Sequence, residues 1–405
     1  MSEEKSYYSE EGPALVSARI KTFFDKALHY KWGGELGAGA NGVVYKITRY
    51  ADGKLKTLAV KVPPIDVDLG GNKSYDENDE DEMPDEVQSI IREKDWLQRL
   101  RNGFHIIKSL DLPNDPLART PEGVSPHRMR SWIFMEYAEN GGLRTFIERH
   151  VEQYEGEILP SRLLWRFFMC LVRGCLEMAY YNASINGQRV DFKTASIEDL
   201  SGIEPGGLAH QDLGSHNVVI GAMTPDANVE HNITPILKLI DFGEAGQIDP
   251  ERDFFNRTGS QVNVGEISQV MSFLILQDDT AYNGAIDVVI NGRMFETHAS
   301  SLRANQNDLI RAGLDIDLLN LVYRGLSMDK DERPGLIELA RIVHERVLHR
   351  GHRGAERETD QSIKERIFKL IHHGDTEPPK RHRDSDEDSD DNSEEKRRKR
   401  IKEDK

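Results

Sequence analysis

The sequence predicts an α+β protein with a β-rich first part and a larger helical second part. Three observations predict it. From Trp32, glycines interleave with β-branched residues, and the runs 57–62 and 131–137 continue that pattern between turn signals such as Asp52-Gly53. Apolar residues recur at helical spacing after Pro84 and again over 161–180. Beyond Gly265 the chain reads as mostly helical to about Arg350.

The elements follow in order. Residues 1–30 form an N-terminal extension. It is polar and acidic to residue 12, and Pro13 then opens a helix with Leu15, Ile20, Phe23, Phe24 and Leu28 on one side. A domain over 31–350 comes next, its β-rich part covering about 31–137. Within it, residues 66–85 hold too few apolar groups to offset the entropy of ordering, and read as a solvated acidic loop. A helix starting at Asp85 carries Val87, Ile90, Ile91, Lys94, Leu97 and Leu100. The helical part spans about 138–350, interrupted by an insertion at 182–207. No internal repeat is present. Residues 351–405 read as a charged, largely disordered tail, because blocks of like charge repel.

Composition narrows the function. Hydrophobic residues make up 38% of the chain, enough for a core. A net charge of -17 excludes the whole surface as a nucleic-acid footprint, so no specific nucleic-acid partner is expected. Cys170 and Cys175 match no zinc-site spacing and read as reduced core thiols. The first residues lack the basic start and apolar centre of a signal peptide, and no run is long enough to span a bilayer. An intracellular protein without a membrane partner is the expectation.

The chemistry sits in four segments. Gly37, Gly39 and Gly42 lead into a strand through Val43 and Val44 rather than into a helix. Two strands joined by a glycine flap can lay backbone N–H groups over phosphates, whereas a dinucleotide turn would lead into a helix. Lys61 ends the apolar run Ala59-Val60, which aims a cation at a pocket; alone, it would read as a surface lysine. Glu93, on the next helix, can fix that ammonium, although a solvated helix carboxylate is the plainer reading. A buried strand through Met135 runs into Glu136, Tyr137, Ala138 and the Gly141-Gly142 connector, whose backbone can read a flat heteroaromatic edge. Finally, His210-Gln211-Asp212 precedes Asn217, and Asp241-Phe242-Gly243 follows after a strand. An aspartate beside a hydroxyl can orient it and take its proton. An asparagine and a second aspartate supply the hard oxygens that magnesium prefers. A lone Asp-Phe-Gly is often just a turn, but both motifs in this order are far rarer.

These segments, in this order, resemble the protein kinase superfamily from about Trp32 to Arg350. The resemblance implies a bilobal fold, with a small β-rich lobe and a larger helical lobe, and Mg·ATP bound between them. It implies Asp212, Lys61 and Glu93 as the catalytic set, and Asn217 and Asp241 as ligands of Mg2+. Gly37, Gly39, Gly42, Val44, Ala59, Lys61, Met135, Glu136 and Ala138 would contact ATP, with Met135 as gatekeeper and Glu136 and Ala138 as hinge backbone. Met328 to Pro334 resembles the family's late helical signature.

The sequence also departs from the family. Gln211 stands where an arginine usually receives an activation-loop phosphate, and Gly214 where serine/threonine kinases carry a lysine. His216 sits where tyrosine kinases place an arginine. The stretch from Asp241 to Asn263 is shortened and contains no A-P-E sequence. Asn263 replaces the aspartate that steadies the catalytic loop, and Arg333 lacks its usual glutamate partner. Three functions stay open: a Ser/Thr protein kinase acting on an unknown protein substrate, a pseudokinase that binds ATP or acts as a scaffold, and a small-molecule kinase. In the tail, residues 380–383 and 396–400 form two basic clusters around an acidic spacer. They resemble a bipartite nuclear-import signal, which implies an import receptor and favours a nuclear location over a cytoplasmic one. A solvated polyampholyte is the plainer reading. Ser385, Ser389 and Ser393 lie among acids and suit an acidophilic kinase.

Overall fold

The computed structural model describes residues 18, 20–22, 24–25, 29–39, 42–51, 54–63, 85–112, 132–223, 229–278, 284–351 and 355–372. The acidic loop (apart from Asp85), the opening of the N-terminal helix at Pro13 and the basic clusters of the tail lie outside them.

Strands β1 (Tyr30–Gly39), β2 (Gly42–Ala51), β3 (Lys54–Val62) and β4 (Ile133–Glu136) form one antiparallel sheet in that order. Strand alternation sends successive side chains to opposite faces. Val43, Tyr45, Ile47, Leu58, Val60, Val62 and Phe134 share one face and pack with Ile20 and Phe24 of the N-terminal helical segment. Phe24 is fully buried there, which stabilises that cover by about 1.5–3 kcal/mol. Ala59, Ile133 and Met135 face the other way and join the main core, with Val44 packed against it. Lys61 belongs to this second face by the same alternation.

Helix α1 (Asp85–Arg99) buries Ser89, Ile90, Glu93, Trp96 and Leu97, a stripe at helical spacing that includes one carboxylate. Ile91, expected on the apolar face, is exposed. Helices α2 (Leu143–Gln153) and α3 (Ser161–Ala179) follow. Nearly every side chain of α3 is buried, as suits the centre of the helical part. Residues 182–207 contain the short hairpin β5 (Ser184–Ile185) and β6 (Gln188–Arg189), then helix α4 (Ile197–Leu200) with a Ser196/Asp199 capping box. Next come β7 (Leu208–Ala209), β8 (Val218–Met223), β9 (Pro235–Leu239) and β10 (Gly246–Gln247), paired as β7 with β10 and β8 with β9.

Helix α5 (Gly259–Leu276) starts with a Thr258/Gln261 capping box. The region read as mostly helical then departs from expectation. Strands β11 (Ala285–Ile290) and β12 (Arg293–His298) form a hairpin whose turn residues, Asn291 and Gly292, both have positive φ. That is the turn chemistry Asn-Gly favours. Helices α6 (Ser300–Arg311), α7 (Ile316–Gly325) and α8 (Leu336–His349) complete the expected set.

One boundary is corrected. Within residues 351–405, read as a largely disordered tail, helix α9 (Asp360–His372) buries Ile363, Ile367 and Leu370. Just before it, buried Glu358 accepts the backbone N–H groups of Ser161 at 2.7 Å and Arg162 at 2.8 Å. It thereby caps α3 with a carboxylate at the positive end of the helix. No helix among the described residues is long and apolar enough to cross a membrane.

Candidate active site

Lys61 is 4% exposed, and a buried ammonium must be paired. Its Nζ lies 2.6 Å from Glu93 Oε2 and 2.7 Å from Asp241 Oδ1. Burial alone would push its pKa down, but the charges of Glu93 and Asp241 outweigh burial and raise it. Three distant segments therefore meet at one ammonium.

Helix α1 is placed by more than Glu93. Arg92 donates to Gly243 O at 2.8 Å, and the indole N–H of Trp96 to Ala245 O at 3.0 Å. Both acceptors follow Asp241. A Cβ on Gly243 would lie 2.1 Å from Ser89 Oγ, so any larger residue there would force the serine hydroxyl to turn away. Arg92, Trp96 and Ser89 escaped sequence reading. The buried spacing of Ser89, Glu93 and Trp96 was the available signal.

The glycine turn lies beside Lys61. Gly39 pairs with Gly42 at the end of the β1–β2 ladder, and Val44 pairs with Lys61. A Cβ on Gly42 would sit 2.8 Å from Lys61 Cε, whereas Gly37 and Gly39 have open space around them. Met135 is buried opposite Ala59 in the β3–β4 ladder. The Glu136 carboxylate accepts from Lys238 Nζ at 2.6 Å and from the Lys108 N–H at 2.9 Å. Its backbone N–H donates to Lys108 O, and Ala138 O accepts from the Gly141 N–H at 3.4 Å. Lys238 is another residue the sequence did not single out.

Asp212 is half-exposed. Asn217 Nδ2 donates to its Oδ2 at 2.9 Å and its carbonyl at 2.7 Å. This leaves the Asn217 side-chain amide oxygen, Oδ1, as the group available to a cation. His216 Nε2 stands 3.7 Å from Asp212 Oδ2, beyond hydrogen-bond reach. Gln211 and Asp241 both have positive φ, at 66° and 62°, a conformation costing of order 1–3 kcal/mol. Tertiary contacts hold them. Gln211 Nε2 donates to Glu244 O at 3.0 Å, the His210 ring meets Ile240 O at 3.0 Å, and it packs on Phe242 with centroids 4.8 Å apart.

Asn263 is fully buried beneath this loop. Its Oδ1 accepts the His210 N–H at 3.0 Å and its Nδ2 donates to Leu208 O at 2.9 Å. Arg333 bonds two backbone carbonyls, Gln261 O at 2.8 Å and Ser327 O at 3.0 Å. Gly265 makes room for it, since a Cβ there would lie 2.8 Å from Nη1. Glu266, on the same helix, has a buried Oε2 without a hydrogen-bond partner. Burial, with Asp212's charge adding to it, pushes the Glu266 carboxyl up to about 7 against the pull of nearby backbone N–H groups and Arg257.

Every predicted site residue lies among the described ones. Lys61, Glu93 and Asp241 meet directly, and Asp212 meets Asn217. The backbone bond from Ile240 N–H to Asn217 O, 3.0 Å, ties the second group to the first. No protein-family model and no curated protein matches the chain.

Proposed function

We propose that this chain is a bilobal, Mg·ATP-dependent protein kinase acting on Ser/Thr hydroxyls. The observation that carries the reading is the convergence of Glu93 and Asp241 on Lys61, beside an Asp212 oriented by Asn217. ATP with Mg2+ would supply the transferable phosphoryl group and neutralise its charge. The residues fit that group. The open space at Gly37 and Gly39 suits close approach of backbone to phosphate, and Asp241 and Asn217 Oδ1 offer hard oxygens to the cation. Lys61 would contact phosphate oxygens, with Glu93 fixing its position. Met135, Glu136 and Ala138 would border the base. Asp212 would orient the acceptor hydroxyl and take its proton.

A pseudokinase is the second reading. It is favoured by the shortened stretch after Asp241 and by Gln211 and Gly214, which put neutral residues at the two positions where the resemblance expects a cation. The test is Mg·ATP stabilisation measured beside labelled-phosphate transfer to mixed proteins and to the chain itself, wild type against Asp212→Asn. The kinase reading expects both signals in wild type and loss of transfer in the variant. Stabilisation without transfer favours the pseudokinase. Transfer to a hydroxylated small molecule but not to proteins favours a small-molecule kinase. Equal labelling by both forms removes Asp212 from the chemistry.

A further inference from the structure

We propose that His105, Cys170 and His231 form a separate metal site that takes a zinc-class divalent ion. Their ligand atoms lie within 4.8 Å of one another, and all three residues are buried. The two Nε2 atoms face each other at 3.1 Å. Tetrahedral zinc, with nitrogen at about 2.0–2.1 Å and sulfur at about 2.3 Å, separates its ligand atoms by roughly 3.3–3.7 Å. The imidazole pair is already close to that spacing. Cys170 Sγ, now 3.8 Å from His231 Nδ1, has to turn toward the Nε2 pair.

The surroundings supply the second observation. Glu177 is 1% exposed; its Oε1 lies 2.9 Å from His105 Nδ1, and its oxygens accept the His105 backbone N–H at 2.8 and 3.1 Å. Metal-bound imidazoles characteristically hand their other ring nitrogen to a carboxylate, which fixes ring and tautomer. Two imidazoles and a thiolate select a zinc-class ion over the magnesium proposed at Asp241. Three protein ligands leave one position for water.

Such an ion would fasten three segments that lead to the candidate active site. His105 follows α1, which carries Glu93. Cys170 lies in α3, and His231 precedes β9, which runs to Asp241. His105 O already accepts the Leu239 N–H at 2.8 Å. Cys170 and His231 are 61 residues apart and the three ligands together span 126, so no local spacing betrays them.

The test uses the full chain, purified without a metal-affinity tag. Elemental mass spectrometry reads its zinc content, melting is followed with and without zinc, and cobalt(II) serves as the spectroscopic probe. We expect stoichiometric zinc, a higher melting temperature with zinc, and tetrahedral cobalt bands with a sulfur-to-cobalt transition. Cys170→Ser should abolish that transition, while Cys175→Ala keeps it. A cobalt ion at Asp241 would show no sulfur transition. Substoichiometric zinc with melting unmoved by the ion overturns the proposal without any variant, as does a sulfur transition that survives Cys170→Ser. A hydrogen-bonded chain from Cys170 through His231 and His105 to Glu177 is then the cluster's whole role.

Discussion

Replacing Asn263 with aspartate restores the residue that the kinase resemblance expects, yet the local geometry predicts harm. Asn263 accepts from His210 N–H and donates to Leu208 O inside a fully buried site. Aspartate keeps the acceptor and loses the donor. If ionised, it leaves Leu208 O unsatisfied at a cost of about 1–3 kcal/mol and turns a negative oxygen toward it. If protonated, it regains a donor but must bind a proton that an unfolded aspartate, with a pKa of about 3.9, releases. At pH 7 that costs about 4 kcal/mol, and at pH 5 about 1.5. The cheaper state governs, so Asn263→Asp should lose about 2–4 kcal/mol at pH 7 and no more than about 1.5 at pH 5. Denaturant unfolding of both forms at the two pH values reads the difference. A variant as stable as wild type at pH 7, or a penalty that ignores pH, refutes the reasoning.

Three further outcomes are expected. The Glu266 carboxyl is raised to about 7, so its protonated form is favoured on folding; this contribution is whole below its ordinary pKa and is lost as pH rises through 7. Glu266→Gln should therefore gain up to about 3 kcal/mol over wild type at pH 8 and little at pH 5, and denaturation at both pH values checks it. His150 is the opposite case: burial and then Arg366 push it down to about 4, and its Nε2 lies 2.8 Å from Arg366 Nη1. Stability should be whole above pH 6.5 and fall by about 3 kcal/mol toward pH 4, a loss that His150→Gln removes in an acid-unfolding titration. Deleting residues 380–402 should lower the nuclear fraction of a fluorescently tagged chain; an unchanged distribution counts against the import signal.

How much could be read in advance depended on how local the cause was. Lys61, Asp212, Asn217 and Asp241 stood in short motifs, and the structure brings them into two linked groups. Glu93 was legible only as a candidate partner for Lys61 on the next helix; the spacing read for that helix ran through Lys94, and the structure buries Glu93 instead. Arg333 was visible but its partners were not, since two carbonyls fill the role of a missing side chain. The β11–β12 hairpin was missed although Asn291-Gly292 is a strong turn signal between alternating residues; the helical pattern on either side outweighed it. Helix α9 was hidden by the charged tail it was grouped with, although Ile363, Ile367 and Leu370 recur at helical spacing. The His105, Cys170 and His231 cluster left no local signature, because tertiary packing alone assembles it.

The Glu358 cap has a consequence for the order in which the chain completes itself. Its carboxylate meets the start of α3 across 197 residues of sequence. A nascent chain makes α3 early, yet the carboxylate that replaces water at its first turn arrives only when almost the whole described domain has been synthesised. Contacts of such separation carry a loop-closure cost and form late. During synthesis, a helix that ends up almost wholly buried therefore waits for its lid, and a chain ending near Arg350 never receives one.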